Sequence, residues 1–160
     1  MTTITSASPA DIADCRVLFE EYQRELGVDL CFQGFARELA MLPGDYAPPR
    51  GRLLIARDGG VPVGCVALRP LGESDCEMKR MYVRASHRGS GLGRALAERI
   101  VAEARAVGYR QMKLDTLPRL GAAIALYRSM GFAPTPRYND NPVDGVRFFA
   151  LDLAPIAAGR

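Results

Sequence analysis

The stretch Met81-Tyr82-Val83-Arg84-Ala85-Ser86-His87-Arg88-Gly89-Ser90-Gly91-Leu92-Gly93-Arg94 passes from a β-rich run, through a glycine-rich turn, into a helical run. Cys76 to Val83 has strand character. Beyond the turn, Leu92, Leu96, Ile100 and Ala104 recur on one face, which predicts a helix from Gly91 to Val107 closed by Gly108. Glycines at 89, 91 and 93 sit where the first N–H groups of a helix lack partners and its dipole favours an anion. Without side chains there, a phosphate can approach the main chain. Arg88 and Arg94 flank the turn and add charge-assisted bonds. Lys79, Arg80, Arg84, His87, Arg88 and Arg94 follow one another with no acid between them, a cluster that suits a compact anion such as phosphate or pyrophosphate.

Upstream, Thr2 to Thr5 alternates weakly and predicts an edge strand, and Ser8-Pro9-Ala10-Asp11 reads as a helix start. Ile12, Cys15, Leu18, Phe19 and Tyr22 form the apolar stripe of a helix that stops at Gly27, and a shorter helix is expected from Gln33 to Met41. Arg52 to Arg57 and Val61 to Leu68 flank Asp58-Gly59-Gly60, a hairpin signal, and with Cys76 to Val83 they make an antiparallel meander. Downstream, Arg110 to Asp115 reads as a strand, Pro118 opens a helix that Gly131 closes, and strands follow from Phe132 and over Val146 to Leu153. The predicted order is β-α-α-β-β-β-α-β-α-β-β. This is a layered α/β fold, a mixed, mainly antiparallel sheet flanked by helices.

At 160 residues the chain suits a single domain, residues 1–160, with 48% apolar and 24% charged residues, close to soluble averages. A formal charge of +3 implies no nucleic-acid partner, and no run reaches the length of a membrane span. Met1 to Ala7 lacks the pattern of a secretory signal, which points to the cytoplasm. Cys15, Cys31, Cys65 and Cys76 are widely spaced and read as buried thiols; with one histidine in the chain, no metal site is expected.

A glycine-rich turn after a strand can also serve nucleoside triphosphates or dinucleotides. No Gly-Lys-Ser/Thr closes this one, so the lysine and hydroxyl of a triphosphate loop are missing. Three antiparallel strands precede it, whereas a Rossmann turn follows the first strand of a parallel unit.

Arg88-Gly89-Ser90-Gly91-Leu92-Gly93 resembles the signature of the GNAT acetyltransferases: Arg or Gln, two residues, Gly, one residue, then Gly or Ala. Met81-Tyr82-Val83 resembles the end of that family's fourth strand, and the block from Ala122 to Phe132, with Tyr127 and a Gly131-Phe132 ending, resembles its second common block. The specific matches span about residues 77 to 132. The resemblance implies acetyl-CoA as acyl donor, without a metal. Met81, Tyr82, Val83, Arg88, Gly89, Ser90, Gly91, Leu92, Gly93 and Arg94 would bind it, and the Val83 N–H would polarise the thioester carbonyl. The pattern departs at Leu120, where many relatives carry asparagine.

Acetyl transfer to an amine needs a neutral amine, a polarised carbonyl and a protonated leaving thiolate. The resemblance places two catalytic candidates. Glu77 lies four residues before Met81, where some members carry a catalytic glutamate, and even spacing puts it on one face with Met81 and Val83; it could equally be an ordinary strand glutamate paired with Lys79 or Arg80, or one that binds the substrate's ammonium without moving protons. Tyr127 matches the tyrosine that commonly faces the CoA sulfur, although its place on a stripe with Leu120 and Ile124 also suits a core aromatic. His87, beside the turn, is expected to meet phosphate or solvent. No histidine is near Cys65 or Cys76, so direct attack by the amine is favoured over an acyl-cysteine.

The leading reading is an N-acetyltransferase acting on a primary amine of a small molecule through a ternary complex, with a homodimer left open. A non-catalytic acyl-CoA-binding module is the alternative, and a different nucleotide-using enzyme the third. The acceptor would meet residues from Asp29 to Met41 and from Tyr138 to Gly145, where Gln33, Tyr138, Asn139, Asp140 and Asn141 offer polar groups.

Overall fold

The computed structural model describes residues 1–27 and 34–153. Its strands are β1 (Thr2–Ser6), β2 (Arg52–Asp58), β3 (Val61–Leu71), β4 (Asp75–Val83), β5 (Gln111–Thr116), β6 (Ala133–Pro134) and β7 (Arg147–Asp152), and its α-helices are α1 (Ile12–Leu26), α2 (Phe35–Met41), α3 (Leu92–Val107) and α4 (Gly121–Ser129). One sheet runs β1-β2-β3-β4-β5-β7-β6. Every pairing is antiparallel except β4 with β5. The predicted mixed, mainly antiparallel sheet is therefore the observed one. Cys31 and Gln33 lie outside the described residues, as does the expected helix start at Gln33.

Local chemistry accounts for the ends of the elements. The Asp11 carboxylate accepts bonds from the Ser8 N–H at 2.8 Å and the Ser8 hydroxyl at 3.0 Å, closing a cap around Pro9 ahead of α1. Gly27 ends α1 in the left-handed region at φ 69°. Pro118 does not open the last helix as expected. Residues 117–120 form a turn in which the Leu120 N–H bonds to the Leu117 carbonyl at 3.0 Å, and the first helical bond runs from Ile124 to Leu120 at 3.0 Å. The N–H of Leu120 is thus spent on the turn, and α4 begins only at Gly121.

The two faces of the sheet carry separate cores. Leu92, Leu96, Ala97, Ile100, Val101 and Ala104 of α3, with Ile124 and Tyr127 of α4, pack on Leu54, Val66, Leu68, Met78, Met112 and Leu114. On the opposite face Cys15, Leu18 and Phe19 of α1 and Phe35 of α2 pack on Leu53, Ile55, Cys65, Ala67 and Tyr82. Each core follows from the period-2 strands and the three-to-four spacing of the helices.

Two irregularities of β4 create the site. Its pairing with β5 covers only Asp75, Cys76 and Glu77, after which the strands separate. Its register with β3 also slips: Ala67 faces Lys79, whereas Cys65 faces Tyr82, leaving Arg80 as an extra residue at φ 60°. This β-bulge inverts the alternation along the strand. Glu77 and Lys79 lie on the α1/α2 side with Tyr82, whereas Met81 and Val83 pack against the α3/α4 core. The expected shared face of Glu77 with Met81 and Val83 is thereby corrected. An inserted residue between them changes the parity on which that expectation rests.

Candidate active site

At the mouth of the cleft, Gly89 and Gly91 adopt φ of 79° and 90°, a region that costs other L-residues energy. The first helical bond of α3 runs from the Ala95 N–H to the Gly91 carbonyl at 3.0 Å, so the N–H groups of Leu92, Gly93 and Arg94 have no partner within the helix. Such N–H groups at a helix start suit an anion. The Ser90 hydroxyl donates to the His87 carbonyl at 2.5 Å and tightens the turn. Arg94 donates to the Ser129 hydroxyl at 2.7 Å, which places its guanidinium at the α4 side of the turn.

Arg88 turns inward. It pairs with Glu25 of α1, stacks over the Tyr82 ring at 5.8 Å, and donates through Nε to the Val83 carbonyl at 2.9 Å. His87, expected to meet phosphate or solvent, is half-buried and turned to the β2–β3 hairpin. Its Nε2 lies 2.8 Å from an Asp58 carboxylate oxygen and its Nδ1 2.8 Å from the Ser86 hydroxyl, which ties it to the β2–β3 hairpin.

The exposed edge of β4 comes next. Arg84 donates its N–H to the Val63 carbonyl at 2.8 Å, so Arg84 and Val63 form a hydrogen-bonded antiparallel pair. By alternation Val83, opposite Gly64, directs its N–H and carbonyl away from β3 and toward the gap before β5. Arg88 already bonds the Val83 carbonyl; a strand edge that faces no neighbouring strand can accept an extended amide chain, and the Val83 N–H can polarise a carbonyl. A groove leads along that edge, lined by Met81, Tyr82, Val83 and Arg88 on one wall and Leu120 to Ala123 on the other. It runs into a cleft that Met81, Leu120 and Ala123 also line, with Tyr127 at its side. Leu120 thus takes part in the wall through apolar contact. Glycine turn, strand edge and groove are the parts that could hold a CoA thioester, residues 89–94 toward its phosphates and Met81 and Val83 toward its amide arm.

Tyr127 is buried against Phe132, with ring centroids 5.6 Å apart, and its hydroxyl makes no hydrogen bond among the described residues. Burial, reinforced by Tyr22, raises its pKa, so the phenol keeps its proton at neutral pH. A protonated, unspent donor in the cleft is what a leaving thiolate requires.

Glu77 is placed differently. It is 1% exposed; Oε1 accepts from Arg69 at 3.0 Å and Oε2 from the Tyr138 hydroxyl at 2.7 Å. Its hydrogen-bond partners are thus Arg69 and Tyr138, and its charge also acts on Lys79 beside it on the strand. Tyr138, by contrast, joins this cluster from the segment expected to meet the acceptor.

Four groups line the cleft without having been assigned there from the sequence. Arg80, 3% exposed at the bulge, forms a two-pronged pair with Glu38 of α2 at 2.8 and 2.9 Å and lies over the rings of Phe35 and Tyr22 at 5.0 and 5.8 Å. Lys79 lines the cleft, and burial lowers its pKa to about 8, partly opposed by Glu77 and Asp115. Tyr22 and Asp115 line it too. One signal was available for the strand residues: Gln111, Lys113 and Asp115 put a polar face on a strand that the order of elements makes internal, and such a face borders a polar cavity. Three of the four cysteines, Cys15, Cys65 and Cys76, are buried thiols whose pKa burial raises, and no metal-ligating cluster occurs among the described residues.

Residues 15–132 match the model of the Acetyltransferase (GNAT) family. The chain belongs to the GNAT acetyltransferases. It is 43% identical over 148 residues to an uncharacterized N-acetyltransferase of Schizosaccharomyces pombe, covering 91% of each chain. It is 39% identical over 148 residues to an IAA acetyltransferase of Azospirillum brasilense, covering 89% of this chain and 95% of that one. Among solved structures it resembles a protein of Klebsiella pneumoniae described as an acyl-CoA N-acyltransferase, at TM-score 0.76 and 28% identity over 96% of this chain and 98% of the other. It also resembles an acetyltransferase of Salmonella typhimurium described with its cofactor acetyl-CoA, at TM-score 0.71 and 26% identity over 99% and 98%. As a GNAT enzyme the chain is an N-acetyltransferase that draws on an acyl-CoA donor. Among the described residues no helix is long and apolar enough to cross a membrane.

Proposed function

We propose that this enzyme transfers acetyl from acetyl-CoA to a primary amine of a small, soluble molecule by direct attack within a ternary complex, in the cytoplasm. One observation carries the reading: the groove along the free edge of β4 opens into a cleft that holds Tyr127 on the α3/α4 side and Lys79, Asp115 and Tyr22 on the α1/α2 side. A donor entering along β4 and an acceptor entering from the α1/α2 side meet at the separation of β4 from β5. The cleft has a volume of about 100 Å³, which suits a small amine better than a peptide.

Acetyl-CoA supplies the acyl group, so that a carbon–nitrogen bond forms, the carbon–sulfur bond breaks, and the ammonium gives up two protons, one to sulfur and one to solvent. The Val83 N–H, directed away from β3, would hold the thioester carbonyl oxygen and stabilise the charge that develops there. Tyr127 passes a proton to the departing sulfur and regains one from the nitrogen. Glu77 orients Tyr138 and Arg69 at the acceptor side. The three buried thiols fit a reducing compartment.

A thermal-shift panel with acetyl-CoA, CoA, ATP and NAD, followed by an amine screen with thiol-release detection, tests the proposal. Stabilisation by both CoA species and turnover of at least one primary amine are expected. Stabilisation by CoA with no amine turned over would replace the enzyme reading with an acyl-CoA-binding module.

A further inference from the structure

Two carboxylates lie on the α1/α2 side where β4 leaves β5, and they differ in what they can still do. Both oxygens of Glu77 are spent on Arg69 and Tyr138, and its side chain is 2% exposed. Asp115, at the end of β5, is half-buried and lines the cleft that Tyr127 also lines. Its Oδ2 accepts two neutral amide donors, Asn139 Nδ2 at 2.8 Å and Asn141 Nδ2 at 3.2 Å. Its Oδ1 accepts no bond among the described residues.

The two asparagines are themselves locked. The Asn141 N–H donates to Asn139 Oδ1 and the Val143 N–H to Asn141 Oδ1, each at 3.0 Å, and Arg137 donates to the Asn141 carbonyl at 2.8 Å. Asn141 is 6% exposed. These bonds fix both amide groups with their N–H donors on one carboxylate oxygen of a side chain that lines the cleft. Neutral donors orient a carboxylate without neutralising it. Lys79 faces it from β4, Tyr22 from α1 and Tyr138 from the segment after β6.

We propose that Asp115 Oδ1 anchors the ammonium of the acetyl acceptor, so that the acceptor is a cationic primary amine which enters from the α1/α2 side, and that Asp115 rather than Glu77 is the carboxylate it touches. The inference rests on the amine-acceptor reading above. It gives the turn-rich segment from Tyr138 to Gly145 a purpose beyond closing a loop: it aims a charge.

Steady-state kinetics with acetyl-CoA test it, using putrescine, tyramine, lysine and phenylalanine methyl ester as acceptors and whichever the wild-type enzyme uses best for the comparison. Asp115→Asn keeps the shape of the side chain and removes its charge. The expected result is a rise of roughly tenfold or more in the KM of the amine, the loss typical of a charge-assisted bond, with a smaller change in kcat and undiminished thermal stabilisation by acetyl-CoA. Asn141→Ser, which loosens the carboxylate without removing it, raises that KM less. Retained acetyl-CoA stabilisation with an unchanged amine KM in Asp115→Asn would overturn the anchor alone, as would a fall confined to kcat. Failure of the wild-type enzyme to acetylate any of the four amines overturns the amine-acceptor reading and the anchor with it.

Discussion

Replacing Lys79 by methionine should make the protein more stable at neutral pH than at alkaline pH relative to the wild type. Lys79 is 6% exposed, and burial lowers its pKa from an ordinary 10.5 to about 8 despite the opposing charges of Glu77 and Asp115. At 1.36 kcal/mol per pH unit, that difference means that keeping the native ammonium charged costs about 3 kcal/mol. Below pH 8 both native and unfolded lysines are charged and the whole cost is present. Between pH 8 and 10.5 the native lysine sheds its proton while the unfolded one keeps it, so native stability rises with pH. Linkage returns about 2 kcal/mol of the cost by pH 9.5. Methionine matches the length of the stem and carries no charge. Urea denaturation followed by far-UV circular dichroism, at pH 7.0, 8.0, 9.0 and 9.5, gives the stability difference between the two proteins, in which titrations shared by both cancel. The advantage of Lys79→Met should shrink by about 2 kcal/mol over that range. A difference that stays level with pH would refute the account of Lys79 as a desolvated charge at the cleft.

Tyr127→Phe should lower kcat by roughly 100-fold, the lower range for loss of a general acid, with the KM of acetyl-CoA nearly unchanged; equal rates in the two proteins would return Tyr127 to the core. Gly91→Asp places a side chain at φ 90° and a negative charge in the phosphate cradle. It should abolish the thermal shift produced by CoA while the variant stays folded by circular dichroism, and a preserved shift would remove the glycine turn from the site.

The sequence alone determined the elements whose signals are local. The cap at Ser8 to Asp11, the Asp58-Gly59-Gly60 hairpin, the apolar stripe of α3 and the glycines of the phosphate turn each depend on residues a few positions apart, and the structure has them where their spacing puts them. The family signature from Arg88 to Gly93 is equally local, so the acyl donor could be read before the fold was known. Tertiary structure decided what depends on two distant segments meeting. The bulge at Arg80 reverses the parity that places Glu77, and no nearby residue announces it; its side chain is held by Glu38, 42 positions away. His87 was claimed by Asp58 of the hairpin instead of the phosphate turn. Asp115 became a cleft residue because β4 and β5 pair for only three residues before they part, and its Oδ2 is bonded by asparagines more than twenty positions downstream. Backbone propensity and capping act over one or two turns of chain, whereas the pairing of charges and the opening of a cleft are set by how the sheet and its loops close in space.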